Sequence, residues 1–235
     1  MNFSMKRANA IFQKDFKDIS RNSAVSVTAL MPLILAFIYG KMGDITIDAH
    51  YMIINFTLVT VGSFVQCSLI AEEKEKNTLR GLMLSPASTL EILGGKSLLS
   101  IIASMIIVVF GIMLTGYQPE NIVVIAVAIL FTSFFFIGLG TLLGLLAKSV
   151  MEASVLVLPF MFIFGFGSMF SMFTDKYPIL KVMDYTPNAQ LVILAKKVES
   201  DVGIVEVLPI FGIITLWIIA VALTTIAVFN KRMTD

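Results

Sequence analysis

The tetrapeptide Gly94-Gly95-Lys96-Ser97 is the part of this 235-residue chain that most invites a chemical reading. Gly-Lys-Ser closes the phosphate-cradling loop of nucleotide-binding proteins, where backbone N–H groups wrap the phosphates and the lysine neutralises them. That loop needs another glycine five positions before Gly95, and Leu90 stands there, followed by Glu91. The segment also leads into a long apolar run instead of following a strand. Other chemistry is sparse. His50 is the single histidine and Cys67 the single cysteine, so neither a His/Cys metal cluster nor an intramolecular disulfide can form. No H-E-x-x-H and no G-x-S-x-G occurs, and Glu91, Glu120 and Glu152 stand at the edges of apolar runs, not inside them. The expectation is a chain with no catalytic residue, no metal and no cofactor of its own.

Whatever positions these residues is overwhelmingly apolar. Hydrophobic residues make up 57% and charged residues 14% of the chain, against about 25% charge in soluble domains. A soluble enzyme, a nucleic-acid-binding domain and a disordered chain are poor fits. Six windows contain no Asp, Glu, Lys or Arg: 22–40, 49–71, 97–119, 121–147, 153–174 and 207–230. A helix needs about 20 mostly apolar residues to cross the hydrocarbon of a bilayer. The windows are apolar all round, unlike the alternating strands of a membrane barrel. The fold expected is therefore all-α and polytopic, with six transmembrane helices in a single domain over 1–235. An N-terminus in the cytoplasm places Lys6, Arg7, Lys14, Lys17, Arg21, Lys74, Lys76, Arg80, Lys96, Lys148, Lys231 and Arg232 inside. It leaves only Lys41, Lys176, Lys181, Lys196 and Lys197 outside, the asymmetry that orients membrane proteins. Both termini are expected in the cytoplasm.

Before the first window, Ile11, Phe12, Phe16 and Ile19 recur at helical spacing opposite Lys6, Lys14, Lys17 and Asp18. This reads as an amphipathic helix in the membrane interface, or as a juxtamembrane tail. Ser20 or Asn22 can cap the helix that follows. Pro32 can kink the first crossing. Charge gathers in Glu72–Lys96, EEKEKNTLRGLMLSPASTLEILGGK. Leu79, Leu82 and Met83 form an apolar edge on a short helix that Ser85-Pro86 stops, and a new helix should start near Ser88 and run into the third crossing. An ordinary charged loop is the other reading. Gly140 and Gly144 make a G-x-x-x-G, either a close-packing motif or a chance spacing. Lys148 and Glu152 are four apart and can pair. The fifth window holds Pro159 amid six phenylalanines, Phe160 and Phe164 among them, a face that meets apolar cargo or lipid alike. Outside, Leu191, Leu194, Ala195 and Val198 give a short interfacial helix.

On these residues the chain resembles the membrane subunit of an ABC exporter of the ABC-2 type. The family's charged run with G-T-L, then a small residue and proline, then Gly-Lys, is matched by Glu72, Glu73, Glu75, Asn77-Thr78-Leu79-Arg80, Leu82, Ser85-Pro86, Glu91 and Gly95-Lys96. Asn77 departs from the pattern, standing where glycine is usual. Pro32, Tyr177-Pro178 and Thr186-Pro187 also match. The resemblance implies a permease of the plasma membrane that moves a drug, antibiotic, peptide or lipid-like substrate outward. It implies a second permease subunit, identical or related, and a separate cytoplasmic ATPase that holds the ATP and Mg. Glu72, Glu73, Glu75, Thr78, Leu79, Arg80, Leu82, Met83 and Pro86 would form the coupling helix seated on that ATPase. Pro32, Gly140, Gly144, Pro159, Phe160 and Phe164 would serve the pathway or helix packing. The residues alone leave room for a non-transport membrane protein such as an assembly or immunity factor. An ion-coupled carrier fits less well, because no charge lies inside the windows.

Overall fold

The computed structural model describes residues 4–43, 45–78, 81, 89–170, 176–200 and 203–234. Every regular element among them is helical. The chain runs through α1 (Met5–Arg21), α2 (Ser23–Lys41), α3 (Ile47–Glu75), α4 (Thr89–Thr115), α5 (Ile122–Leu146), α6 (Val150–Gly165), α7 (Pro187–Glu199) and α8 (Leu208–Thr234). A helical turn, Gly167–Phe170, and a 3₁₀ segment, Pro178–Tyr185, lie between α6 and α7.

α3 is the axis of the fold. Its most apolar stretch is entirely buried, whereas only 28% of that of α4 and 17% of that of α8 is covered. The neighbours α2, α4, α5, α6 and α7 all pack on it. The middle of α3, Leu58–Val65, widens into a π-helical turn. Thr57 and Thr60 donate their hydroxyls to the carbonyls of Ile53 and Phe56, and Ser63 donates to Phe136 of α5 at 2.6 Å. These three hydroxyls thus spend their hydrogen bonds on backbone, as suits a lipid-embedded bundle. Around the core, Val27, Ile34 and Phe37 of α2, Ile106 and Met113 of α4, and Leu216 and Leu223 of α8 face outward. A soluble domain rarely exposes so continuous an apolar belt; lipid covers it without cost.

Among the described residues, four helices are long and apolar enough to cross a membrane: α3, α4, α5 and α8. α1 and α2 add a fifth if taken together, bent by 78° at their junction. There Asn22 leaves helical geometry and its side chain accepts the Val25 N–H at 3.3 Å, capping α2. The window 153–174 does not form one unbroken helix. α6 ends in a π-turn, Met161–Gly165, and the backbone leaves helical geometry at Phe166, whose ring packs on Phe56 of α3 at 5.3 Å. At 1.5 Å per residue α6 spans about 24 Å, less than the ~30 Å of hydrocarbon.

The expectation for the outer helix also changes. α7 is not laid on a membrane surface: Leu191, Leu194 and Ala195 are fully buried, and Asn188 and Gln190 are buried with them. It wedges among α3, α5 and α8.

Candidate functional site

The charged run that opens Glu72–Lys96 divides its residues among four neighbouring helices. Lys74 donates to the carbonyls of Leu145 (2.6 Å) and Ala147 at the end of α5, where a cation meets the carbonyls that a helix leaves unpaired. Glu75 accepts the Val150 N–H (2.9 Å) at the start of α6, the complementary end. Glu72 pairs with Lys76 (2.5 Å) at the surface. Glu73 turns inward and is 4% exposed.

Glu73 belongs to a buried charge clamp. Lys96, with no exposed surface, donates to both carboxylate oxygens of Asp15 (3.0 and 2.9 Å) and to Glu73 (3.1 Å). Lys14 and the Thr78 hydroxyl complete the shell of Glu73. One lysine between two carboxylates leaves the site one negative charge over, which the half-exposed Lys14 balances. Burial pushes the Asp15 carboxyl above its ordinary range, against the pull of Lys96. The Lys14 ammonium loses solvation too, yet its bond to Glu73 and the nearby acids hold it above the usual lysine range. One helical turn away on α4, Glu91 is fully buried and takes a two-pronged bond from Arg7 (2.9 and 2.7 Å), and the Ser4 N–H also points at it. That bond raises the Arg7 guanidinium further.

α1 reaches these partners because of Gly95. A Cβ there would sit 2.9 Å from the Ala8 carbonyl oxygen and 3.2 Å from the Ile11 side chain. The Gly-Gly-Lys that resembles part of a phosphate loop is thus a helix-packing site, with glycine for contact and lysine for charge. The amphipathic pattern of α1 resolves accordingly. Ile11 and Asp15, four apart, form its buried face against α4, while Phe16 points away at 59% exposure.

Of the nine residues expected to couple to a partner, Glu72, Glu73, Glu75 and Thr78 are placed as above, and all four serve contacts within the chain. Leu79, Arg80, Leu82, Met83 and Pro86 lie outside the described residues, as does Ser88. Asn77 has a left-handed backbone, φ 54°. Glycine adopts that conformation freely and asparagine is among the few side chains that tolerate it, which accounts for asparagine at this position.

The pathway and packing residues fall in three places. Gly140 and Gly144 of α5 meet α3 so closely that a Cβ would lie 2.3 Å from the Ser63 carbonyl and 2.8 Å from that of Cys67. Beside them Gln66 is fully buried, bonded to Ser100 (2.8 Å) and Thr141 (3.0 Å), so α3, α4 and α5 share one polar knot. Pro32 is buried in α2, whereas Pro159 is exposed on α6. Phe164 is buried against Phe135 and Phe136 at 5.4 and 5.7 Å, and Phe160 stacks on it.

Two features escaped the sequence reading. Ser149 caps α6: it accepts the Glu152 N–H (3.2 Å), while Glu152 reaches back to accept the Lys148 N–H (2.7 Å), one residue before the cap. Glu152 thus bonds the backbone of Lys148, and the spacing of serine and glutamate was the available signal. The clamp had no local signal, because Asp15, Glu73 and Lys96 are dispersed along the chain.

No curated protein matches this sequence. The family model for the ABC-2 family transporter protein matches residues 40–229, which runs from the end of α2 almost to the end of α8 and excludes α1. With that match over most of its length and apolar helices long enough to span a bilayer, the chain belongs to the ABC-2 family of transporters as a multi-pass membrane protein.

Proposed function

We propose that this chain is the permease subunit of an ATP-driven exporter of the plasma membrane, working with a separate cytoplasmic ATPase that holds ATP and Mg, and with a second permease subunit. The observation that carries the reading is the clamp at the base of α3 and α4. Glu73 and Lys96 meet at 3.1 Å, and the whole charged segment lies between them. The chain that leaves α3 and returns as α4 is therefore a loop pinned at its neck, with α1 fastened to the same neck through Asp15. Force applied to such a loop reaches α3, α4 and α1 together, and Lys74 and Glu75 carry it to α5 and α6. This is the mechanical requirement for a coupling element whose energy comes from another chain. By their sequence spacing, Leu79, Leu82 and Met83 would offer the ATPase an apolar edge, with Arg80 and Glu72 as charged contacts.

Six crossings with both termini in the cytoplasm remain the reading for the membrane-embedded state. The distribution of basic residues supports it, and α6 with the turn that follows supplies a broken fifth crossing. The phenylalanines of that segment favour amphipathic cargo such as a drug, an antibiotic, a peptide or a lipid-like molecule. Purification of the native complex tests the proposal. The ATPase is expected to co-purify, and the double substitution L79D/L82D is expected to abolish assembly or substrate-coupled ATP turnover. Unchanged assembly and turnover would reject the coupling segment.

A further inference from the structure

At the end of α3 away from the clamp, three separate parts of the chain converge on one polar cluster. His50 and Tyr51 come from the first turns of α3, Tyr117 from the connection between α4 and α5, and Glu199 from the last residue of α7. The His50 ring lies on Tyr117, with centroids 4.8 Å apart and planes 29° from parallel. The Tyr51 and Tyr117 hydroxyls are 3.3 Å apart, and Glu199 lies near enough for its charge to act on Tyr117. Two atoms are left over. His50 Nδ1 and Glu199 Oε1 are both buried without a hydrogen-bond partner among the described residues. The imidazole is only 9% exposed.

We propose that this cluster is a proton-operated latch: it closes on a neutral His50, and acidification on its side of the membrane releases Tyr117 and α7 from α3. The reasoning is one of desolvation. A neutral imidazole stacks on a phenol at little cost, but an imidazolium buried at this depth needs water or a full ion pair. The charges near it are already committed. Asp48, on the same helix, is bonded to Lys196 of α7 at 2.7 Å, and Lys197 pairs with Glu206 at 3.7 Å. On α2, Lys41 sits over the Phe37 ring, and Tyr39 packs against the Met52 and Ile53 cluster. Among the described residues, Glu199 is the carboxylate whose field reaches His50. Burial keeps the Tyr117 hydroxyl protonated, its pKa pushed up to about 12. Histidine is the side chain whose ordinary charge change falls near neutrality.

The chain provides its own probes, a single histidine and a single tryptophan. Trp217 of α8 donates to the Tyr185 carbonyl at 2.8 Å, just before α7 begins, and so reports on that helix. The full chain, purified without a histidine tag in lipid nanodiscs, would be titrated from pH 8 to pH 5. The histidine resonance would be followed by NMR and Trp217 by fluorescence. Expected is one transition in which the His50 signal moves to that of a solvated imidazolium while Trp217 emission changes with the same midpoint. H50Q should abolish the fluorescence transition. E199Q should enlarge it and move its midpoint toward neutral pH, because the imidazolium then loses the only carboxylate that offsets its burial. The proposal is overturned if wild-type His50 titrates with no change at Trp217. A fluorescence transition that survives in a folded H50Q, or that disappears in E199Q, overturns it as well; the latter would mean that the proton clamps α3 to α7. None of these readouts depends on transport, so the latch and the exporter reading stand or fall separately.

Discussion

α3 is tied down at both ends, by opposite means. At one end Lys96 sits between Asp15 and Glu73, and the clamp residues are all bonded. At the other, two tyrosines, a histidine and a glutamate meet with two polar atoms unpaired. Both assemblies join three separate parts of the chain, so the difference is not one of reach. It lies in compensation. A buried charge cluster whose members are paired resists separation, because breaking any pair strands an ion in a poor solvent. A cluster held by one tyrosine–tyrosine hydrogen bond and a ring stack, with spare acceptors, loses little when it opens and gains hydration. The first arrangement suits a joint that must pass force without yielding. The second suits a contact that opens and closes.

The most severe test of that contrast removes Lys96. K96M leaves Asp15 and Glu73 facing each other in the interior, and a loss of about 3–5 kcal/mol is expected, enough to abolish a cooperative thermal transition in nanodiscs. The triple variant D15N/E73Q/K96M, with no charge to strand, should recover most of it; failure to recover would show that lysine packing, not charge, holds the joint. Asp15 alone is predicted to be the mild member. Its carboxyl is held above the ordinary range, so the stability it contributes is present below that range and lost as pH rises through its raised pKa. Near neutral pH, D15N should therefore cost less than E73Q, as compared by their melting temperatures.

Next in size is the contact that lets α1 reach the clamp. G95A should cost about 1–3 kcal/mol by overpacking against Ala8 and Ile11, and limited proteolysis should then cut α1 free. G94A, whose added methyl meets nothing within 4 Å, should be neutral or stabilising by up to about 1 kcal/mol through helix propensity. Equal effects at the two positions would remove the packing argument. At Asn77, alanine should cost about 1 kcal/mol in its left-handed conformation and glycine nothing, read from chemical denaturation of the two variants. The smallest effect belongs to the tyrosine–histidine end. Y51F deletes one 3.3 Å hydrogen bond and should cost about 0.6 kcal/mol, so its melting temperature should lie far above that of K96M. A Y51F loss as large as that of K96M would erase the contrast between the two ends.

Much of the molecule was legible before any coordinates. The window 121–147 became α5 (Ile122–Leu146), and 207–230 became α8. Uninterrupted apolar runs dictate helices wherever lipid forbids unpaired backbone. α4 runs from Thr89 into the third window, while the start expected near Ser88 lies outside the described residues. Less legible were the elements whose burial depends on neighbours. The pattern Leu191, Leu194, Ala195, Val198 specifies one apolar face but not what covers it, and the structure sinks that face among α3, α5 and α8 instead of resting it on a bilayer surface. The window 153–174 carries enough apolar residues for a crossing, yet Phe166 leaves the helix to pack on α3.

The amino-acid sequence by itself determined which stretches are helical and apolar, that charge is swept out of them, and that it collects after α3. Those properties follow from hydrophobicity and backbone satisfaction, which act locally. Only the tertiary structure decided what the collected charge is for. Electrostatic pairing acts through space over a few ångströms, and it joined Asp15, Glu73 and Lys96, which no spacing rule connects, into one buried joint. The same packing left His50 and Glu199 with unpaired atoms at the far end of the same helix.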